Sequence, residues 1–418
     1  MTTQTPLAAL IPPLREGLPL LAASSGQTRN QVLLAMAQGL ENSARELLAA
    51  NDDDIALARK NSLPEALIDR AALNETRVSQ LAAGLRETAA LPDPLGEVEN
   101  FRTLPSGLLA GKLRIPLGLI AFICEARPGA AAEAAAMSLK SGNAIIIKPG
   151  KEVLRSARVL ASIIKEALKS AGLPAGAVTI LPDLDREEIK ELLSFSDYID
   201  LVIPRGGEGL IRFVDENSRI PVLKHFKGVC HLYVDEGADL SMAAEVAFNA
   251  KASRPGTCNA LECLLVHRLE APLFLPEIMA RFKAAGIETA ACPRSLALIP
   301  GAVPAREDDF GREFLGPKIA VKIVDDIEDA LRHIRLYGSR HTEAIVTRDQ
   351  KRARHFLKNA DAGCVLVNAS TRLNDGGCLG LGAEIGISTS KLHAYGPMGL
   401  KELTTAKFVV IGDGHLRT

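Results

Sequence analysis

No two cysteines in this chain are spaced as CxxC. The seven present (Cys124, Cys230, Cys258, Cys263, Cys292, Cys364 and Cys378) are odd in number and scattered through 418 residues. That excludes the disulfide framework of a small secreted domain. Neither sign of charge dominates: 49 Lys plus Arg face 50 Asp plus Glu, a formal net charge of -1. The chain as a whole therefore offers no electrostatic footprint for nucleic acid or an anionic membrane. Long hydrophobic runs are missing too. The longest, such as Leu117 to Cys124 and Ala144 to Ile147, are far too short to span a bilayer, and no secretory signal pattern opens the chain. There is no Walker A sequence, no HExxH, no internal repeat and no low-complexity tract. Gly380-Leu381-Gly382-Ala383-Glu384-Ile385-Gly386 carries the first two glycines of a dinucleotide fingerprint but has Ile385 at the third, and no βαβ pattern precedes it, so it is not a Rossmann loop. Cys258, Cys263 and the Cys230-His231 pair lack the spacing of a zinc site, and no metal is expected. These absences describe a reduced, cytoplasmic protein with no nucleic-acid and no membrane partner.

What is present is a globular composition, 47% hydrophobic and 24% charged, in a chain long enough for two or three lobes. The first hundred residues are helical in pattern. Arg29 to Ala50 repeats apolar residues at helical spacing, and Asn51-Asp52-Asp53-Asp54 supplies a cap and acidic first turn for a following helix. Pro92 and Pro94 end the helical run. From Ile115 the texture alternates. Apolar runs at 115–124, 144–147, 178–181 and 198–203 are separated by helical stretches near 129–141, 152–170 and 185–193. A second series begins near Leu232, with runs at 232–234, 261–266, 319–324, 344–347 and 364–367. Its helices are expected at 240–252, 276–285, 326–337 and 350–359. Strands alternating with helices imply parallel sheets covered on both faces.

The stretch Ser253-Arg254-Pro255-Gly256-Thr257-Cys258-Asn259-Ala260-Leu261-Glu262 carries the chemistry. A cysteine after Pro-Gly, between a helix and a strand, sits in a constrained loop, and a nearby Arg254 would favour its thiolate. A free cysteine more often packs as an inert small hydrophobe, and composition does not separate the two readings.

The motif does. Arg254-Pro255-Gly256-Thr257-Cys258-Asn259-Ala260 resembles the nucleophile loop of the aldehyde dehydrogenase superfamily, in its γ-glutamyl phosphate reductase branch. Pro116-Leu117-Gly118-Leu119-Ile120, Glu125-Ala126-Arg127-Pro128, Lys140-Ser141-Gly142-Asn143-Ala144, the 222–235 segment and the 380–400 tail resemble further signatures of that branch. The resemblance implies NADPH-dependent reduction of L-glutamyl 5-phosphate to L-glutamate 5-semialdehyde and phosphate, the second step of proline biosynthesis. Cys258 would form a thioester, with backbone N–H groups beside it and the Asn259 side chain as oxyanion donors, although Asn259 equally suits a turn cap. The position of the hydrolytic enzymes' glutamate base falls at His225, and that of their oxyanion asparagine at Arg127. Arg127, with Lys227 and Arg254, is assigned to the phosphate. Lys148 is assigned to the adenosine ribose or its 2′-phosphate, Glu313 to the nicotinamide ribose, and Gly206-Gly207 to the pyrophosphate at a helix N-terminus. Gly129 and Ile147-Lys148-Pro149 depart from the commonest branch pattern; the second departure leaves NAD against NADP open.

The resemblance also implies an aldehyde-dehydrogenase-like α/β fold, with two parallel-sheet lobes and a small oligomerisation element. Residues 1–103 and 115–230 would bind cofactor, 231–370 would carry Cys258, 104–114 and 401–418 would mediate a homo-oligomer (dimer or tetramer), and 371–400 would return to the active-site cleft. The glutamate 5-kinase supplying the acyl phosphate would be a separate protein in transient contact. The alternatives are a hydrolytic NAD(P)-dependent aldehyde dehydrogenase and a non-catalytic descendant.

Overall fold

The computed structural model describes residues 6–417. The ends of the first and last expected segments, residues 1–5 and 418, lie outside the described residues. The chain divides into two compact units: 1–224 with 381–386 and 398–418, and 225–380 with 387–397.

In the first unit, four parallel strands run in the order Val178–Ile180, Ala144–Lys148, Leu119–Cys124, Leu201–Arg205. Phe122 pairs with Ile147 on one side and Ile203 on the other. The two central strands are buried throughout, which is why they read as continuous apolar runs rather than alternating ones. Helices Pro128–Lys140 and Leu154–Ser170 supply crossovers. The helical N-terminal part packs Gly26–Asn42 against Glu75–Ala90 and Leu154–Ser170.

The expected cap at Asn51–Asp54 is corrected. The helix break falls at Ser43, and 51–54 lies inside the helix Ala44–Lys60. Both polar side chains are buried there because they serve neighbouring segments. Asn51 donates to the Ala71 carbonyl and to Ser156 Oγ, and accepts from Leu73 N. Asp54 accepts from the N–H and hydroxyl of Ser156 at 2.9 and 2.8 Å, in the first turn of Leu154–Ser170, where an acid also suits the helix dipole. The run that began at Ile115 is likewise divided. Residues Leu109–Pro116 pair antiparallel with Val98–Thr103 and with Thr404–Ile411, and the parallel strand starts only at Leu119.

The second unit is built on seven parallel strands, ordered Val303–Pro304, Glu288–Ala291, Lys318–Val324, Leu261–His267, Cys230–Val234, Thr342–Val346, Cys364–Val367. Leu232, Val234, Leu264 and Val266 face one hydrophobic core, while Tyr233, Cys263, Leu265 and Ile345 face another. The two-residue alternation of strand side chains thus feeds both covered faces. The strands Glu288–Ala291 and Val303–Pro304, at one end of the sheet, carry too few residues to stand out in the sequence. Among the described residues, no helix is long and apolar enough to cross a membrane.

Candidate active site

The residues 253–260 join the helix Leu240–Ala252 to the strand Leu261–His267. A buried ion pair closes the base of this loop: Lys251 Nζ lies 2.6 Å from Glu262 Oε2, with side chains 0% and 1% exposed. Burial raises the Glu262 carboxyl to about 7 and lowers Lys251, each shift opposed by the partner's charge. The second oxygen of Glu262 accepts from Leu315 N at 3.2 Å, which ties the loop to the Glu313–Pro317 segment.

Within the loop, Thr257 Oγ1 is 2.9 Å from the Arg254 carbonyl and accepts from Arg372 Nη1 at 2.8 Å. Asn259 is buried. Its amide donates to the carbonyls of Asn374 and Arg372 at 3.0 and 3.3 Å, and its own carbonyl accepts from Thr371 Oγ1 at 2.7 Å. With both amide hydrogens so committed, the Asn259 side chain tethers the loop and is not aimed at a developing oxyanion. The tethers come from Thr371 to Asn374, residues in no motif, which sequence reasoning missed.

Cys258 itself is half-buried. Its carbonyl accepts from the Cys230 thiol at 3.2 Å, and Gly228 lies against it so closely that a Cβ there would meet the Cys258 oxygen at 2.0 Å. Gly228 N donates to Glu313 Oε1 at 2.9 Å. Glu313 therefore meets the backbone that packs against Cys258. One nitrogen each of His225 and His341 and the Cys258 sulfur lie within 4.8 Å of one another.

The other expected residues fare differently. Arg254 is exposed. Lys227 lines a surface cleft with Glu307, Asp308, Arg312 and Tyr337, two cations beside two carboxylates. A second cluster, His231, Cys263 and His333, is buried in the sheet. His231 Nδ1 sits 2.9 Å from Glu343, and His333 Nδ1 sits 3.2 Å from Lys322 Nζ. Burial opposes protonation of His231, but Glu343 wins and holds it up at about 10. With an imidazolium and an ammonium already present, this cluster does not suit a cation.

Arg127, Lys148, Gly206 and Gly207 belong to the other unit. Lys148 closes its strand, 9% exposed, with Nζ 3.9 Å from Asp183. Gly207 caps the helix Glu208–Asn217, and its N–H donates to Glu125 Oε1 at 2.7 Å. A Cβ on Gly206 would come within 2.6 Å of the same side chain. A carboxylate already occupies the place expected for a pyrophosphate, so the backbone there accepts an anion. Arg127 precedes the helix Pro128–Lys140 and, with Arg205, acts electrostatically on Glu133.

The aldehyde dehydrogenase family model matches residues 7–294. A γ-glutamyl phosphate reductase of Thermus thermophilus is 55% identical over 390 residues, 93% of this chain and 94% of the relative. The chain belongs to the aldehyde dehydrogenase family, in its γ-glutamyl phosphate reductase branch. A second such reductase, from Desulfatibacillum aliphaticivorans, is 51% identical over 394 residues, 94% of each chain. The crystal structure of γ-glutamyl phosphate reductase from Thermotoga maritima superposes with a TM-score of 0.97 at 41% identity, covering 99% of this chain and 100% of that one. An acetylating aldehyde dehydrogenase from Geobacillus thermoglucosidasius, at 18% identity and a TM-score of 0.67 over 99% and 97% of the two chains, shares the fold. The aldehyde-dehydrogenase-like α/β fold expected from the nucleophile loop is the one found, and the family makes the cofactor a nicotinamide dinucleotide.

Proposed function

We propose that this chain reduces L-glutamyl 5-phosphate to L-glutamate 5-semialdehyde, with NADPH as reductant and phosphate as the second product, in proline biosynthesis. The observation that carries the reading is Cys258 in its signature loop, half-buried and tethered by Asn259. Cys258 attacks the acyl carbon and expels phosphate, leaving a thioester. When bound, the nicotinamide cofactor supplies the hydride that reduces it. The Asn259 amide being committed elsewhere, the oxyanion falls to backbone N–H groups beside Cys258, and Asn259 acts by holding them. Glu313 supports the same loop through Gly228 and meets the nicotinamide ribose. Arg127 takes the leaving phosphate, with Arg254 or Lys227 as a second cation. Lys148 addresses the adenosine ribose and its 2′-phosphate, which favours NADP, and Gly206-Gly207 take the pyrophosphate in place of Glu125. The 1–224 unit is the cofactor-binding part and the 225–380 unit the catalytic part.

The reading extends to assembly. Thr404–Ile411 is an edge of its three-stranded sheet, with Phe408 74% and Ile411 55% exposed, and an unpaired apolar edge suits a second copy of the chain. A homo-oligomer acting in the cytoplasm, in transient contact with a separate glutamate 5-kinase, completes it.

The test is the reverse reaction: NADP⁺ reduction by glutamate 5-semialdehyde, with and without inorganic phosphate. Strict phosphate dependence, abolished in Cys258→Ala, is expected. Reduction without phosphate would mean that water resolves the thioester and that the hydrolytic reading holds.

A further inference from the structure

A thiol attacks as its thiolate, and an ordinary cysteine is only a few per cent ionised at neutral pH. Something beside Cys258 must take the proton. The one cation of its own loop, Arg254, is exposed, so the loop supplies no buried partner. Two imidazoles stand at the sulfur instead: His225 and His341, with donor atoms within 4.8 Å of Sγ and of each other. Their rings meet edge to face at 5.7 Å between centroids.

A hydrogen bond to the backbone decides the tautomer of His225. His225 Nδ1 lies 2.9 Å from the backbone oxygen of Ile387. A carbonyl only accepts, so Nδ1 carries the hydrogen, and in the neutral ring Nε2 is then the bare acceptor. Ile387 is 3% exposed and sits in the strand Gly386–Ser388, so the carbonyl that sets the tautomer is itself held. His341 is anchored differently, with Nδ1 2.7 Å from Thr342 Oγ1 and 3.7 Å from Cys230 Sγ. Thr342 Oγ1 in turn accepts from Asn374 at 2.7 Å. Titratable groups near His225 include Cys258 and His341, with Cys230 beside His341. Its chain neighbour Lys224 is ion-paired with Asp215.

We propose that His225 is the general base for Cys258, with the Ile387 carbonyl as the positioning group that fixes the neutral tautomer in which Nε2 is the acceptor. This rests on the reading of Cys258 as the nucleophile. The proton moves from Sγ to Nε2, and the thiolate forms a bond to the acyl carbon. As the carbon–oxygen bond to phosphate breaks, the proton passes from Nε2 to the departing phosphate oxygen, so the thiol's proton leaves on the product and His225 is neutral again. After reduction, collapse of the thiohemiacetal oxyanion breaks the carbon–sulfur bond, releases the aldehyde and restores the thiolate beside His225, and one solvent proton returns the pair to its starting state. A residue that marked only a missing glutamate in the sequence thereby has a role of its own, and the 380–400 tail acquires one through Ile387.

The test needs no substrate. Alkylation of Cys258 by iodoacetamide, quantified by peptide mass spectrometry from pH 5.5 to 9.5, reports thiolate formation. His225→Asn is the informative variant, because its amide nitrogen can keep the hydrogen bond to Ile387 while Nε2 is removed. The expected result is at least tenfold slower labelling at pH 7, a labelling profile moved up by a pH unit or more, and partial rescue by added imidazole, with an unchanged melting temperature. Turnover is expected to fall by about 10²-fold. An unchanged labelling profile in His225→Asn would overturn the proposal. Should that variant not fold, the wild-type profile decides: a midpoint at or above that of an ordinary thiol, about 8.5, overturns it. Loss of phosphate dependence in the wild type would refute the proposed function and leave this labelling result standing.

Discussion

The tightest constraint on Cys258 is the absence of a side chain at Gly228, and Gly228→Ala converts it into a number. An added Cβ would stand 2.0 Å from the Cys258 oxygen, 2.7 Å from its carbonyl carbon and 2.9 Å from its Cα. Since such contacts essentially never fall under 3.0 Å, the Cys258 peptide must retreat by about 1 Å. All three obstacles are backbone, so no rotamer change relieves the clash. A displacement of this size at a reacting group costs about 10²-fold in rate, equivalent to about 2.7 kcal/mol of barrier. Overpacking itself is expected to cost about 1–3 kcal/mol of stability. The Gly228 N–H survives to bind Glu313, so cofactor affinity should change little. The assay is phosphate-dependent NADP⁺ reduction by glutamate 5-semialdehyde, with cofactor binding by fluorescence and a melting curve alongside. A variant turning over within twofold of the wild type would refute the close approach of Gly228 to Cys258. Loss of activity together with cofactor binding would show that the damage is not local.

Two further perturbations probe the frame of the site. Lys251→Met strands Glu262 in the interior and is expected to cost about 3–5 kcal/mol, partly recovered in the double variant with Glu262→Gln; urea denaturation measures it, and a single variant as stable as the wild type would contradict the pairing. His333 is pushed down to about 2 by burial, with the nearby cations His231 and Lys322 adding to it. It is therefore neutral when folded, and its contribution is complete above the unfolded value of about 6.5 and lost as pH falls through that value toward the folded one. By pH 5 this amounts to about 2 kcal/mol, so His333→Gln should flatten the loss of stability between pH 7 and pH 5; parallel curves for variant and wild type would count against it.

How far the chain could be read without its structure depended on how local each signal is. The helices Leu240–Ala252 and Gln350–Asn359 and the strand Cys364–Val367 fall where periodicity places them, because their burial pattern is written in consecutive residues. The acidic run at Asn51–Asp54 misled for the opposite reason: Asp54 caps a helix about a hundred residues away, and only tertiary packing turns a cap-like run into a helix interior. The same division holds at the site. The sequence by itself determined the two α/β series, the Cys258 loop and the branch of the family, because signature residues are contiguous. Only the tertiary structure decided that Asn259 is spent on Asn374 and Arg372, that Glu125 meets the N-terminus of Glu208–Asn217, and that Lys227 shares a cleft with Glu307, Asp308 and Arg312. It alone also brought His225 and His341, far apart in the chain, near the Cys258 sulfur, and set the His225 Nδ1 beside the Ile387 carbonyl. Hydrogen bonds and burial pair residues by proximity in space, and a linear chain does not record which of its distant segments will meet.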